Sequence, residues 1–149
     1  MAGKRGGYLV LKIHLLNGRL FNRLLSRDKR ARYKAEQGKI LSALWDHEPQ
    51  TMIELAGVTG LAKSSLSAML KRLEEQELVT SWQDEADKRK RYVKTTELGA
   101  KQRAVGEAVS KELSQIFYKG FSKEEIIDCE AYLARILDNL ETAEAELAQ

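Results

Sequence analysis

The sequence predicts a mainly helical chain interrupted by one small β-hairpin, and three patterns predict it. Residues 51–74 read as two short helices joined by a tight glycine turn. Residues 78–95 read as a strand, a charged loop and a second strand. Both ends of the chain read as long helices with extensive apolar faces. A single proline and many Ala, Leu, Glu, Lys and Arg residues agree with helix.

The first helix is predicted from Tyr8 to Leu25. Leu9, Ile13, Leu16, Leu20 and Leu24 share one face. Val10, Leu11, Leu15, Phe21 and Leu25 spread apolar surface around much of the rest, leaving Lys12, Arg19 and Arg23 as the main polar stripe. A helix apolar on nearly every side must be buried by more than one neighbour. A chain of 149 residues can hardly supply them all, so dimerisation is expected. A second helix is expected near Gly38-Lys39-Ile40-Leu41.

The next helix opens at Thr51-Met52-Ile53-Glu54. Thr-x-x-Glu spacing predicts a capping box, in which each side chain satisfies an orphan backbone N–H. Gly60-Leu61 ends that helix, and another runs from Lys63 to Glu74. At about 100° per residue, Leu66, Met69, Leu70 and Leu73 form its core side. Ser64, Ser67, Ala68 and Lys71 form the opposite side, which is small, hydrogen-bonding and cationic. Such a face suits the major groove of DNA, which needs close approach and groups for base edges. An ordinary solvated helix shows the same pattern, so the flanking elements carry the argument.

Those elements are Leu78 to Gln83 and Arg91 to Thr95, with β-branched and aromatic residues suited to strands. The loop between them, Asp84 to Lys90, contains Lys88, Arg89 and Lys90. Arg89 is placed to enter a minor groove, and Asp87 is placed to hold it by an ion pair. Lys88, Lys90, Arg91 and Lys94 suit phosphates. The acidic residues of the same loop argue the other way.

Two helices, a tight turn and a hairpin make a winged helix-turn-helix. The expected DNA contacts are Lys63, Ser64, Ser65, Ser67, Ala68, Lys71, Lys88, Arg89 and Arg91.

Beyond the wing, a helix from about Leu98 to Tyr118 presents Val105, Val109, Leu113, Ile116 and Phe117. The last helix begins with a second capping box, Ser122-x-x-Glu125. Ile126, Leu133, Leu140 and Leu147 then recur every seven residues, with Cys129, Ile136 and Ala143 at the other seam position. That is a coiled-coil-like stripe. The expected organisation is an N-terminal dimerisation helix and basic loop over 1–32, the winged helix-turn-helix over 33–98, and C-terminal dimerisation helices over 99–149. A dimer places two recognition helices about one DNA turn apart, so double-stranded DNA with an inverted repeat is the expected partner.

The ordered set of motifs resembles the MarR family of bacterial transcription regulators. The residues that carry the resemblance are Ala35-Glu36-Gln37-Gly38-Lys39-Ile40-Leu41, Thr51-x-x-Glu54-Leu55-Ala56 and Gly60-Leu61-Ala62-Lys63-Ser64-Ser65-Leu66-Ser67. Leu70-x-x-Leu73-Glu74-x-x-x-Leu78-Val79, Asp87-Lys88-Arg89 and Thr96-x-x-Gly99 follow. Four positions depart from the family pattern. Ala62 replaces a capping Ser or Asp, Lys88 a common Arg, Thr95 a usual Leu, and Lys34 a capping Thr. The resemblance implies a homodimeric repressor whose terminal helices intertwine with those of a second chain. It also implies a small-molecule effector, often aromatic or anionic, that lowers DNA affinity. Its crevice would draw on the first helix, the second helix and the helix after the wing.

Composition narrows the alternatives. Charged residues make up 32% of the chain and the net charge is +3. Residues 1–39 carry 11 Lys or Arg against 2 acids, a local charge of +9, while residues 122–149 carry 2 against 8, or −6. Arg27, Lys29, Arg30 and Arg32 precede the second helix, placed to add phosphate contacts. A lone cysteine excludes an intrachain disulfide and fits a reducing, cytoplasmic setting. No signal peptide or membrane span is expected. No zinc-ligand spacing, cofactor motif or catalytic set is legible, so no metal, no cofactor and no enzymatic activity are expected. His14 reads as a partly buried polar contact, and Trp45 and Tyr33 as core or interface residues. Two other readings stay open. One is a regulator without an effector, switched by oxidation at Cys129 or only by its abundance. The other is a protein-interaction module that keeps the winged fold.

Overall fold

A computed structural model describes residues 3–149. Six helices and three short strands follow in order: α1 (Gly6–Arg27), α2 (Gly38–Asp46), β1 (Gln50–Thr51), α3 (Met52–Thr59), α4 (Lys63–Glu75), β2 (Val79–Gln83), β3 (Arg91–Thr95), α5 (Glu97–Phe117) and α6 (Lys123–Leu147). A single 3-10 turn, Ala35–Gln37, leads into α2. The chain divides into two compact units, one ending at Leu113 and the other Ser114–Gln149.

The first unit is built on a leucine-rich core. Leu25, Ile40, Leu41, Leu44, Leu55, Leu66, Leu73, Leu78 and Val93 are all essentially inaccessible. The apolar side read from the α4 sequence is therefore the packed one, with Met69 partly buried at its edge. Thr51 caps α3, its hydroxyl accepting from the Glu54 N–H at 3.2 Å. The capping box is only half made, because the Glu54 carboxylate takes the Thr51 hydroxyl proton at 3.1 Å. Thr51 itself lies in β1, paired with Tyr92 of β3. Gly60 ends α3 with φ +71°, a left-handed conformation that costs a residue without Cβ nothing. Ala62 leaves the start of α4 without a side-chain cap.

The sheet is antiparallel, ordered β1-β3-β2. Sequence reading gave the β2–β3 hairpin but not β1, which is too short to show a period. Val79 pairs with Thr95, Ser81 with Val93 and Gln83 with Arg91, so these residues share one face of the sheet. On the other face the rings of Trp82 and Tyr92 stack at 5.8 Å, a cross-strand pair worth about 0.2–1 kcal/mol. The buried Thr95 is satisfied by Glu48. Its N–H donates to Oε2 at 2.8 Å, and its hydroxyl lies 2.9–3.0 Å from both carboxylate oxygens.

Three glutamines hold the segment between α1 and α2. Gln102 of α5 accepts from the Arg32 N–H at 2.8 Å and donates to the Arg30 carbonyl at 3.2 Å. Gln37 accepts from the Lys34 N–H and donates to Gln76 at the end of α4, at 2.9 and 2.7 Å. Gln76 in turn donates to the Arg32 carbonyl at 3.4 Å. Two buried amides, Gln37 and Gln102, and the exposed Gln76 thus supply hydrogen bonds to a loop with no regular partners.

The Thr96-x-x-Gly99 motif explains how α5 starts. The Thr96 hydroxyl donates to the Glu77 carbonyl at 2.6 Å and accepts from the Gly99 N–H at 3.1 Å. The Gly99 carbonyl takes the Trp45 indole N–H at 3.0 Å. Trp45 also meets Tyr33 edge-on, with ring centroids 5.8 Å apart. A Cβ on Gly99 would run into the Leu78 backbone carbonyl.

Helix α1 exposes Tyr8, Leu9, Val10, Leu11, Ile13, Leu15, Leu16 and Leu20. His14 is also exposed, not the partly buried contact expected. In the second unit, α6 begins with the full Ser122–Glu125 capping box. It has no buried residue, and Leu133, Ile136, Leu137 and Leu140 are all exposed. No helix of the described residues is long and apolar enough to cross a membrane.

Replacing Gly99 by Ala tests the α5 junction. Helix propensity alone favours Ala by about 1 kcal/mol. Overpacking against the Leu78 carbonyl should outweigh it and cost about 1–3 kcal/mol. A lower urea midpoint is expected, and an unchanged or higher one would mean that the junction is not tight.

Candidate nucleic-acid interface

Helix α4 keeps its polar side clear of the core because its buried leucines recur at helical spacing. Lys63, Ser64, Ser65, Ser67, Ala68 and Lys71 are all exposed. Ser64, Ser67, Ala68 and Lys71 form one stripe. Ser65 stands about 100° around the helix from Ser64, off that stripe. The stripe does not end at Lys71. Glu74 and Glu75 continue it within the helix, both exposed. Their spacing of seven and eight residues from Ser67 made that legible.

The wing loop resolves the conflict of charges seen in its sequence. Asp84 accepts from the Ala86 N–H and Asp87 from the Arg89 N–H, each at 3.0 Å. Backbone bonds from Asp84 to the Lys90 carbonyl and from Lys90 to the Asp87 carbonyl, both 3.0 Å, close the turn. Two of the three loop acids are therefore turn-building acceptors. Asp87 also receives the Arg89 Nε at 3.1 Å, the ion pair expected from sequence. That contact holds the Asp87 carboxyl below its ordinary range. The Arg89 side chain stays 92% exposed, so it is oriented without being consumed. Lys88, Lys90, Arg91 and Lys94 are exposed around it.

The same local device occurs before α2. Asp28-Lys29-Arg30-Ala31-Arg32 matches Asp87-Lys88-Arg89-Lys90-Arg91 at four of five positions. Asp28 accepts the Arg30 N–H at 2.9 Å and its Nε at 3.0 Å, and the second oxygen takes Nη2 at 2.8 Å. This fork pairs both carboxylate oxygens, whereas the wing pair uses one. Of the four cations read as phosphate contacts there, Arg30 is thus committed to Asp28. The repeat was visible in the sequence.

Sequence reading also missed Ser81. Its hydroxyl donates to the Glu74 carboxylate and accepts from Arg91 Nε at 3.0 Å. The signal was its place one pair from Arg91 on the same sheet face.

A crevice of about 450 Å³ opens among α1, α2 and α5, next to the Tyr33–Trp45 pair. Phe21, Lys39, Ser42, Arg103 and Ser110 help line it. Arg103 is anchored there, donating to the Trp45 carbonyl at 2.7 Å and to Glu107 at 3.1 Å. In the second unit, Cys129 is partly buried beside Phe121, Glu125, Asp128 and Tyr132.

The MarR family model matches residues 34–90, from the turn before α2 to the wing loop. The organic hydroperoxide resistance transcriptional regulator of Bacillus subtilis is 39% identical over 67 residues. That match spans 44% of this chain and 46% of the relative, so the chain covers under half of that relative's length. Among solved structures, wild-type MarR of E. coli without ligand superposes with a TM-score of 0.80 at 26% identity, covering 92% of this chain and 99% of MarR. An E. coli MarR mutant bound to operator DNA gives 0.74 at 28% identity, over 88% of this chain and 92% of that one.

The Asp28 fork has a pH signature. Arg30 hydrogen bonds lower the Asp28 carboxyl from 3.8 to about 2. A depressed carboxyl pKa stabilises the fold above the unfolded value, and that contribution is lost as pH falls through the folded one. The window is therefore about pH 4 down to 2. An NMR titration should find the Asp28 midpoint near the bottom of that window, and Arg30→Ala should return it to the ordinary range.

Proposed function

We propose that this chain, whose residues 34–90 match the MarR family model, is a sequence-specific, homodimeric transcription repressor released from DNA by a small-molecule effector. The observation that carries the reading is the exposed cationic surface of α4 and the wing, from which two loop acids have been withdrawn into the turn. Lys63, Ser64, Ser65, Ser67, Ala68 and Lys71 meet the major groove, and Lys88, Arg89 and Arg91 meet the backbone and minor groove. The uncapped start of α4 suits the same purpose, since its orphan N–H groups favour a phosphate. A protein-interaction module of the same fold has no need of cations there.

Dimerisation follows from what the chain leaves uncovered. The apolar surface of α1 and the heptad stripe of α6 exceed what a lone soluble chain exposes without cost. A second copy covers them and sets two recognition helices on successive turns of an inverted repeat. The crevice beside Tyr33 and Trp45 is the effector site. Its size falls within the range of small-molecule pockets, and it joins aromatic walls to Lys39 and two serines. An effector acts there by binding the DNA-incompetent state more tightly. The redox alternative at Cys129 is less well supported. Reactive thiols sit beside cations, and here the neighbours are Glu125 and Asp128. The chain acts as a regulator rather than an enzyme, in the cytoplasm where its DNA lies.

Selection from a random duplex library at near-physiological salt should enrich one inverted repeat. Recovery of no motif, with binding that vanishes as salt rises, would leave only nonspecific attraction to phosphate. On the selected site, Arg89→Ala should cost about 1–3 kcal/mol without changing the oligomer. Asp87→Ala should also weaken binding, through loss of Arg89 orientation, whereas tighter binding would make Asp87 a merely repulsive charge.

Sedimentation tests the dimer independently. The 16.9 kDa chain should run at twice that mass. Leu133→Asp, which puts a charge in the α6 stripe, should shift it toward monomer. A monomeric wild-type protein would refute the dimer.

A further inference from the structure

The α4 stripe ends in an acid, and the fold deals with it in a way that bears on DNA reading. Glu74 lies seven residues after Ser67, about 20° from it around the helix. A bare carboxylate on that stripe would repel phosphate. It is not bare, because the Ser81 hydroxyl donates to it. The same hydroxyl accepts from Arg91 Nε at 3.0 Å. A serine hydroxyl has one proton to give and lone pairs to receive, so Ser81 fills both roles at once. Ser81 and Arg91 are diagonal neighbours on one face of the β2–β3 hairpin.

We propose that Ser81 is a positioning residue for DNA binding: it ties Arg91 to Glu74, fixing the guanidinium at the root of the wing and offsetting the acid at the end of the recognition helix. The proposal rests on the DNA-binding reading above. Only Nε of Arg91 is engaged, and its two terminal nitrogens make no hydrogen bond among the described residues. Arg91 is exposed, so those nitrogens remain available to a phosphate. An arginine oriented before docking loses less side-chain freedom on binding than a loose one. Arg91 is thereby distinguished from Lys88, whose side chain makes no hydrogen bond or ion pair among the described residues.

The test is a double-mutant cycle on the selected DNA, measured across a range of salt. Ser81→Ala should weaken binding about three- to tenfold. Ser81→Thr, which keeps a hydroxyl, should bind like wild type. Arg91→Ala should weaken binding and lower the salt slope by about one. In that background Ser81→Ala should cost clearly less than it does in wild type, leaving only the penalty of a bared Glu74. In the free protein, the Arg91 Nε–H signal should exchange faster in Ser81→Ala than in wild type or Ser81→Thr. Additive losses, or full binding by Ser81→Ala, would overturn the positioning role while leaving DNA binding intact. Failure of the wild-type protein to select any duplex would overturn both.

Discussion

Everything that presents the candidate interface depends on one close backbone approach, that of Gly99 to Leu78. Leu78 is the turning point between α4 and β2. Its N–H closes the end of α4 on the Leu73 carbonyl at 2.9 Å, and its carbonyl takes the Thr96 N–H at 3.0 Å. Helix α5 can begin beside it only because residue 99 carries no side chain. From there the Gly99 carbonyl reaches Trp45, and Trp45 reaches Tyr33. The end of the recognition helix, the base of the wing and the aromatic wall of the crevice are thus referred to a single point.

A second theme is the use of carboxylates to organise cations. A basic surface of flexible side chains is attractive to DNA but imprecise. Here Asp87 orients Arg89, Asp28 grips Arg30, and Glu74 acts on Arg91 through Ser81. Exposed ion pairs contribute little to stability, about 0–1 kcal/mol each. Their value lies in direction, since each fixes a guanidinium that would otherwise sample many rotamers. Acidic residues among basic ones thus orient the cations of the candidate interface.

The terminal helices follow a different logic. The core of the first unit is complete in itself, with no buried side-chain polar atom unpartnered among the described residues. Helices α1 and α6 by contrast expose the side chains that made them helices in the sequence. Their apolar faces stay largely exposed, and that exposure is what the proposed dimer rests on.

By itself the sequence determined the order of the helices, the core side of α4, the glycine end of α3, the capping box of α6 and the hairpin with its Asp87–Arg89 pair. Each is a local matter of periodicity or of a side chain reaching its own backbone, which spacing along the chain reports directly. The tertiary structure alone decided the rest. Strand β1 has two residues and no period, and exists because β3 lies beside it. The Thr51 capping box closed only halfway, because the Glu54 carboxylate took the Thr51 hydroxyl proton instead of the backbone N–H. Glu48 met Thr95 from 47 residues away, and Gln102 met Arg32 from 70. Such contacts link side chains whose spacing carries no signal, because what brings them together is the packing of the leucine core rather than any rule along the chain.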